Sequence, residues 1–395
     1  MPEWRQEPTI RRTLNKSGRE DHGLWLTRIE SSIKGKRVLA IIDPAVEKAF
    51  SVTVQIQRLQ KAAQFVSFTE FTPNPTWESL LDILQLTYNS KPETLIAIGG
   101  GTAIDLAKLT AIAIELGGAE ELWQASQTQP SLLEERSSVR LVTIPTTAGT
   151  GAEATRFAVL YRDNIKYSIA GDGLKPDQAI LDSSLLKTLP TGVIADAGLD
   201  AVCQAMESLW SVRSTPESEK EAWQALRLAN KHLRPAVTTR GSEHLEAMLQ
   251  AAHLAGRAIN ITTTTAPHAL SYGLTTEFGI PHGRAVALLF GPIFGQMLAC
   301  DESHCHHPKG PSFLTDRLIE IARAWGQEAE RFPRWWQAYL KEALAIANIE
   351  VSVSSSQLET LVQGVNSKRL ANNPVPFSPV QIKEIYQSVL GNILD

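Results

Sequence analysis

Two histidines, His268 and His282, stand out in a segment rich in threonine, glycine and proline, TTTTAPHALSYGLTTEFGIPHGRAVAL (262–288). Imidazole nitrogens bind divalent metals and transfer protons. Two histidines on one helix face lie three or four residues apart, so these two can converge only from different elements. The spacing leaves two readings open: a pair of metal ligands, or two unrelated histidines.

A second candidate segment, GLDAVCQAMESLW (198–210), has helical periodicity. Its apolar residues form one stripe: Leu199, Val202, Cys203, Met206, Leu209 and Trp210. Asp200, Gln204 and Glu207 lie together on a flank of that stripe, and the four-residue step lets Asp200 and Gln204 point at one ion. An aspartate and two imidazoles can hold a catalytic divalent cation with open positions. Asp196 is a rival ligand one turn earlier, and the alternative is a helix with acids on an exposed edge.

Three glycines, Gly99 to Gly101, separate an apolar run from a helical segment in TLIAIGGGTAIDLAK (94–108). Bare backbone amides at a helix N-terminus bind phosphate, and glycine allows close approach. We expect Thr102 to cap this helix and to reach a phosphate. The alternative is a purely structural turn, because the loop matches neither common nucleotide-binding fingerprint.

Two further features suit a polar ligand. The loop TIPTTAGTGAEAT (143–155) follows another strand and is rich in hydroxyl groups and glycine, although an ordinary surface turn is the alternative. Asp43 ends the first predicted strand, where an acid can accept a hydrogen bond from a ribose hydroxyl and repel a 2′-phosphate. A simple turn residue before Pro44 is the other reading.

The elements that carry these residues divide the chain in two. Strand and helix patterns alternate in the first half, which predicts an α/β dinucleotide-binding domain with a parallel sheet. Helical periodicity dominates after about residue 190, which predicts an all-α domain. We place the domains at 1–188 and 189–395, with the helical one carrying the metal and substrate residues. The strands are predicted at 36–43, 65–71, 94–98 and 139–145, and helices at 77–88 and 103–116.

Composition narrows the class of protein. A chain of 395 residues exceeds one compact core, and 43% apolar with 20% charged residues is typical of globular proteins. The net charge of −4 gives no support for a nucleic-acid or membrane surface. Three cysteines favour a reducing compartment, and no signal peptide or membrane span is evident, so we expect a soluble cytoplasmic protein. The segment CDESHCHHPKG (300–310) resembles a zinc site in composition but not in spacing.

Several long motifs, in order, resemble the iron-containing alcohol dehydrogenases, relatives of glycerol dehydrogenase and dehydroquinate synthase. They are TPNPTWESL, IAIGGGTAIDLAK, IPTTAGTGAEAT, AILDSSLLKTLP, GLDAVCQAMES, PHALSYGLTTEFGIPHG and RLANNP. Within that family, segments such as QAMESLWSVRSTPES are similar to the phosphonoacetaldehyde reductases. Members of that subgroup reduce phosphonoacetaldehyde to 2-hydroxyethylphosphonate with a nicotinamide cofactor. The resemblance also implies a homodimer.

The resemblance implies a set of site residues. The family's metal aspartate falls on Asp200 and its late histidines on His268 and His282, with Fe²⁺ or Zn²⁺ as the metal. Gln204 stands where four-ligand members carry a further histidine, and Tyr272 where many carry a histidine near the nicotinamide. The implied contacts with NAD, or NADP, are Asp43, Asn74, Gly99, Gly100, Gly101, Thr102, Asp105, Thr146, Thr147, Thr150 and Lys166.

The expected reaction is reduction of an aldehyde by the nicotinamide, with the proton supplied by water, a ribose hydroxyl or Tyr272. A phosphonate group requires cationic and hydroxyl donors. The candidates near the metal motif are Arg284, Arg257 and the threonine run Thr262 to Thr265, with Asn260 and Ser271 as further donors. Arg284 is preferred. The alternatives are a reductase of another short semialdehyde, a lyase like dehydroquinate synthase, and a metal-free relative without catalysis.

Overall fold

The computed structural model describes residues 24–48, 50–163, 165–345, 353–366, 370–390 and 393–394. The N-terminal segment 1–22 and Arg369 of the RLANNP motif lie outside these residues. The described chain divides into two compact units, and the division falls between Leu189 and Pro190. Each unit has its own core.

The first unit contains a parallel five-stranded sheet with strand order β2-β1-β3-β4-β7, which confirms the predicted α/β class. The apolar runs of the central strands are buried along their length, as strands covered on both faces must be. The strands of the sheet are β1 (Arg37–Ile42), β2 (Gln64–Phe68), β3 (Thr94–Gly99), β4 (Arg140–Pro145) and β7 (Gln178–Ala179). The helices are α1 (Leu24–Ile33), α2 (Pro44–Glu47), α3 (Phe50–Ala62), α4 (Trp77–Ser90), α5 (Gly101–Leu116) and α6 (Ala119–Thr128).

An antiparallel hairpin, β5 (Phe157–Arg162) and β6 (Ile165–Ala170), was not predicted. It packs on α5 rather than joining the main sheet. Its short strands are only partly buried, so they lack the long apolar runs that revealed β1, β3 and β4.

The second unit is built from helices. They are α7 (Thr191–Trp210), α8 (Pro216–Thr238), α9 (Ser242–Thr262), α10 (Ala266–Phe278), α11 (His282–Leu298), α12 (Pro311–Ala324), α13 (Phe332–Leu344), α14 (Ser355–Gln363) and α15 (Pro379–Val389). A parallel pair of two-residue strands, β8 (Val353–Ser354) and β9 (Ile393–Leu394), is the one departure from the predicted all-helical unit among the described residues. None of the described helices meets the length and hydropathy that a bilayer span requires.

Helix α7 is the central element of this unit. It packs against α8, α9 and α11, and every residue from Gly198 to Trp210 is buried. The alternative of acids on an exposed helix edge is therefore wrong. Polar side chains buried in this way must find partners, because an unpaired polar group in an apolar interior is costly. Those partners form the candidate site.

Candidate active site

Three side chains from three helices converge beside α7. One ligand atom each of Asp200, His268 and His282 lies within 4.8 Å of the other two. The Nε2 atom of His268 is 3.1 Å from Asp200 Oδ1, and His282 Nε2 is 4.0 Å from the same oxygen. Asp200 and His268 are buried, whereas the His282 side chain is 31% exposed, which leaves one side of the cluster open.

The helix boundaries place the two histidines. His268 lies in the first turn of α10, after Pro267, and His282 begins α11, directly after Pro281. A Cβ atom on Gly283 would overlap the carbonyl oxygen of Asp196 and lie 3.1 Å from Asp200 Cβ. Glycine at position 283 therefore lets the start of α11 approach α7 closely enough to bring His282 to Asp200.

Glu207 supports the cluster from the side opposite Asp200, a role the sequence analysis did not assign. Its Oε1 atom lies 2.5 Å from His268 Nδ1, and its Oε2 atom accepts hydrogen bonds from the Thr265 backbone N–H and hydroxyl. Burial alone would lower the pKa of His268, but the charges of Glu207 and Asp200 and their hydrogen bonds outweigh it and raise that pKa to about 9. The available signal was the seven-residue step from Asp200, which returns to the same helix face.

Gln204 offers a further candidate donor one helical turn after Asp200 on α7. Its Oε1 atom is buried and has no hydrogen-bond partner among the described residues. A buried amide oxygen without a donor is unfavourable, and a positive ion would satisfy it. Two imidazoles, a carboxylate and an amide oxygen form a donor set that divalent transition metals accept, so the residues fit a metal site.

Asp196, the rival ligand, is engaged elsewhere. Its carboxylate accepts hydrogen bonds from Arg284 Nε at 3.0 Å and Nη2 at 3.2 Å. The metal-binding geometry does not include it. Asp196 thus joins α7 to α11 one turn before Asp200.

Tyr272 lies beside the histidine pair. It follows His268 by one turn of α10, and its ring stacks on that of His282 with centroids 5.8 Å apart. The centroids of the His268 and His282 rings are 5.3 Å apart. A phenol group therefore lies next to the histidine pair.

The loops of the first unit meet at the carboxyl ends of β1, β3 and β4. Asp43 N–H donates to Ile98 O at 2.8 Å, and Thr146 N–H donates to Gly99 O at 3.0 Å. The glycines contact the threonine-rich loop directly. A Cβ on Gly100 would lie 3.3 Å from Thr147 Oγ1, and one on Gly101 would lie 3.1 Å from Thr150 Cγ2.

This edge of the sheet suits a pyrophosphate. Helix α5 begins here, Gly100 is its N-cap, and no side chain caps it. The prediction that Thr102 caps the helix is wrong: Thr102 lies inside the first turn, and its hydroxyl accepts a hydrogen bond from Asn74 N–H at 3.1 Å. The backbone amides at the start of α5 thus lack a side-chain acceptor, and helix N-termini favour anions.

The remaining predicted cofactor residues have local partners. Asp43 is half-buried, and its Oδ1 accepts from Ala45 N–H at the start of α2. Asp105 accepts a hydrogen bond from Val159 N–H at 2.9 Å, and burial raises its pKa to about 6. The hydrogen bond between Val159 and Asp105 therefore joins α5 to the β5–β6 hairpin. Lys166 lies on β6, with its Nζ atom 6.0 Å from the centre of the Tyr161 ring.

Two of the predicted substrate residues are occupied within the helical unit. Thr265 is buried; its hydroxyl donates to Glu207 and accepts from Trp210 Nε1. Arg257 is paired with Glu221 at 2.8 Å. Asn260 is half-buried on α9, two residues before the end of that helix. The structure does not bring Arg257 to the cluster through any contact among the described residues.

The C-terminal motif has a role that sequence reasoning missed. Asn372 Nδ2 donates to the carbonyl oxygens of Thr262 and Thr264, at 2.7 and 3.0 Å, and Asn372 Oδ1 accepts from Ser211. These bonds fix the loop between α9 and α10, where Thr263 has a positive φ of 58°. Position 263 is strained for a β-branched residue, so the loop needs this support.

The histidine-rich segment 300–310 contains no metal-binding cluster among the described residues. His307 is instead buried; its Nε2 lies 3.1 Å from Ser211 O, and its Nδ1 accepts from Lys309 N–H. Its ring stacks on Phe313. His307 is therefore a structural residue.

Comparison with known proteins agrees with this architecture. Residues 24–183 match the family model for iron-containing alcohol dehydrogenase, and residues 194–390 match the model for the C-terminal part of the same family. The chain is 37% identical to a phosphonoacetaldehyde reductase of Streptomyces viridochromogenes, over 60% of this chain and 61% of that protein, less than two thirds of its length. It is 29% identical to long-chain-alcohol dehydrogenase 1 of Geobacillus thermodenitrificans, over 91% of each chain.

A solved structure extends the comparison. The sulfoacetaldehyde reductase of Bifidobacterium kashiwanohense, in complex with NAD⁺, superimposes with a TM-score of 0.77 at 26% identity, over 92% of this chain and 93% of that one. The two family models together span most of both units. The chain therefore belongs to the iron-containing alcohol dehydrogenase family, a family of NAD(P)-dependent alcohol dehydrogenases.

Proposed function

We propose that this protein is a metal-assisted, NAD(P)H-dependent reductase that converts phosphonoacetaldehyde to 2-hydroxyethylphosphonate. The observation that carries the proposal is the convergence of Asp200, His268 and His282. The buried Gln204 oxygen, one helical turn after Asp200, adds support because it has no hydrogen-bond partner among the described residues. Family membership supports the reaction class. The identity of the aldehyde rests on separate observations.

Two similar proteins point to a small anionic aldehyde. One is named a phosphonoacetaldehyde reductase and the other a sulfoacetaldehyde reductase. Both names describe acetaldehyde that carries a tetrahedral anionic group. A site for such a substrate requires a cationic side chain close to the reacting carbonyl group.

Arg284 is our candidate for that cation. It lies two residues after His282, and Asp196 fixes its guanidinium through Nε and Nη2. A guanidinium has five N–H groups, so three remain without a partner among the described residues. Asn260 remains a candidate phosphonate ligand, as a neutral hydrogen-bond donor. We do not retain Thr265 and Arg257 as phosphonate ligands, because their polar atoms already bind Glu207 and Glu221.

Asp200, His268 and His282 would hold the metal, with Gln204 as a fourth and weaker ligand. A bound divalent ion, Fe²⁺ or Zn²⁺, supplies a Lewis acid that polarises the aldehyde oxygen and stabilises negative charge on it. Asp200 and His268 are buried, which would limit the access of bulk water to their ligand atoms. The more exposed His282 would leave its part of the cluster accessible to a substrate.

The first unit would bind the dinucleotide, which supplies the hydride. The amides of Gly100 to Thr102, at the uncapped start of α5, would accept the pyrophosphate. Thr147 and Thr150 stand against those glycines and offer hydroxyl groups. Asp43, at the end of β1, would accept a hydrogen bond from a ribose hydroxyl, which favours NAD over NADP.

Tyr272 would hold the proton that completes the alcohol. Its ring stacks on that of His282, which places the phenol group beside the histidine pair. A tyrosine is protonated at neutral pH, and therefore donates rather than accepts a proton there.

The proposal is tested by metal analysis of the purified protein, followed by oxidation of NADH and NADPH against an aldehyde panel. We expect one divalent ion per chain, preference for NADH, and the highest kcat/KM for phosphonoacetaldehyde. A higher kcat/KM for succinic semialdehyde would identify a carboxylate semialdehyde reductase. Activity without stoichiometric loss of reduced nicotinamide would identify a lyase. No turnover with any aldehyde and no bound metal would identify a non-catalytic relative.

A further inference from the structure

Glu207 is a fully buried carboxylate with no solvent contact and three donors around it. His268 Nδ1 lies 2.5 Å from Oε1, and the Thr265 backbone N–H and hydroxyl lie 2.6 and 2.9 Å from Oε2. Both oxygens are thus engaged. A buried charge without such partners would be strongly unfavourable, so the arrangement is specific to the carboxylate.

The partners of Glu207 are themselves fixed. Thr265 precedes α10, the helix that carries His268. Its hydroxyl accepts a hydrogen bond from Trp210 Nε1 at 2.9 Å, and the Trp210 ring stacks on Phe290 with centroids 5.0 Å apart. Glu207 therefore cannot rotate away from His268 without breaking a chain of buried contacts that links α7, α10 and α11.

The imidazole that Glu207 holds has two distinct nitrogens. Nδ1 faces Glu207, whereas Nε2 faces Asp200 at 3.1 Å. A ring that donates its Nδ1–H to a carboxylate presents the lone pair of Nε2 in the opposite direction. Carboxylates that hold a ligand histidine in this way set its tautomer and orientation and raise its basicity.

We propose that Glu207 is a positioning residue that fixes the Nδ1–H tautomer and ring orientation of His268, and thereby increases the affinity of the Asp200–His268–His282 site for a divalent cation. This inference rests on the proposed function, because it presupposes that the cluster binds a metal. Glu207 itself contacts neither the cation nor a substrate. Its effect is exerted through the imidazole.

The test compares metal affinity in the absence of any substrate. Glu207→Gln keeps the size of the side chain but replaces one acceptor oxygen with an NH₂ group. Ser208→Ala is the matched control. Ser208 is the next residue of α7, is equally buried, and accepts a hydrogen bond from Thr262 at 3.0 Å; among the described residues it makes no hydrogen bond to His268. Zn²⁺ affinity is measured by competition with a chromogenic chelator, and the Co²⁺-loaded proteins are compared by visible absorption.

We expect Glu207→Gln to weaken Zn²⁺ binding by roughly 10- to 100-fold and to change the Co²⁺ spectrum, whereas Ser208→Ala leaves both near the wild-type values. Equal affinities for wild type and Glu207→Gln, or an equal loss in both variants, would overturn the inference while leaving the proposed function intact. A wild-type protein that binds neither ion would overturn both.

A measurement on the unaltered protein covers the case in which Glu207→Gln does not fold. Histidine-selective ¹⁵N labelling of the Zn²⁺-loaded wild type reports the protonation of each ring nitrogen, and His268→Gln identifies the signal. A protonated Nδ1 with a metal-bound Nε2 is expected. Metal bound through Nδ1 of His268 would refute the positioning role.

Discussion

Arg284 and Asp196 form a two-point ion pair that joins the beginning of α11 to α7, with bonds of 3.0 and 3.2 Å. Burial raises the pKa of Asp196, and the guanidinium of Arg284 opposes that shift. The pair holds the guanidinium in a defined orientation one residue beyond Gly283. An oriented cation two residues after His282 is suited to an anionic substrate.

Arg284→Ala should therefore raise KM for phosphonoacetaldehyde by roughly 10- to 100-fold, the effect of losing one charge-assisted hydrogen bond. KM for a neutral aldehyde of similar size, such as propanal, should change far less. Steady-state kinetics with both substrates measures the difference. Arg284→Lys keeps the charge but lacks the planar guanidinium fork. Its KM for phosphonoacetaldehyde should therefore lie between the values of the wild type and Arg284→Ala. Equal losses for both aldehydes would show that Arg284 only supports the helix.

Gln204→Leu should change stability and metal binding in opposite directions. The substitution removes a buried oxygen that has no partner among the described residues, so the metal-free protein should gain about 1–3 kcal/mol in the free energy of unfolding. Zn²⁺ affinity should fall, because one ligand is lost. Denaturant unfolding in the presence of a chelator gives the first quantity, and chelator competition gives the second.

Gln204→His is the companion variant, since an imidazole is a stronger ligand than an amide oxygen. It should bind Zn²⁺ more tightly than the wild type. If Gln204→Leu leaves Zn²⁺ affinity unchanged, Gln204 is not a ligand.

Gly283→Ala should separate the start of α11 from α7. The added methyl group would overlap the carbonyl oxygen of Asp196, and overpacking of this kind typically costs about 1–3 kcal/mol. Because His282 is the preceding residue, metal affinity should fall together with thermal stability. Gly295→Ala is the matched control, since a Cβ there would lie 3.5 Å from Pro333 Cγ, in ordinary contact. Comparable effects of the two substitutions would contradict the steric argument.

The helical unit should lose stability in mild acid through a histidine pair outside the site. His232 on α8 and His244 on α9 share a hydrogen bond of 2.8 Å between their Nδ1 atoms. Burial lowers the pKa of His232, His244 and Lys231 lower it further, and Glu243 partly opposes them. The unfolded chain thus takes up this proton at a higher pH than the folded chain.

The stabilisation from a neutral His232 is therefore complete above its ordinary pKa of 6.5. It is lost as pH falls through the lower pKa that His232 has in the folded protein. Thermal unfolding followed between about pH 8 and pH 5 should show a falling Tm. His232→Gln should flatten that dependence. Equal pH dependence of Tm in the wild type and in His232→Gln would exclude the effect.

Much of the fold could be predicted because its signals are local. The buried strands β1, β3 and β4 are continuous apolar runs, and α7 shows helical periodicity around Asp200. The three consecutive glycines after β3 also indicate a loop by their residue type alone. The hairpin β5–β6 was missed because its strands are short and half-buried, so neither alternation nor a long apolar run revealed them.

The supporting contacts of the site could not be predicted, because they join residues that are distant in sequence. Glu207 meets Thr265 across 58 positions, and Asp196 meets Arg284 across 88. Nothing in the spacing of either pair indicates the contact. Likewise, Thr102 has the residue type of a helix cap, but the backbone begins the helix at Gly101, and the hydroxyl binds Asn74 instead.

The amide of Asn372 reaches back 110 positions to the carbonyl of Thr262, and through it the loop before α10 is fixed. A growing chain on the ribosome contains both histidines long before it contains Asn372. The loop before α10 can therefore gain this support only after residue 372 has been synthesised. A product truncated before residue 372 would retain Asp200, His268 and His282 and still lack the hydrogen bonds that hold the strained turn before α10.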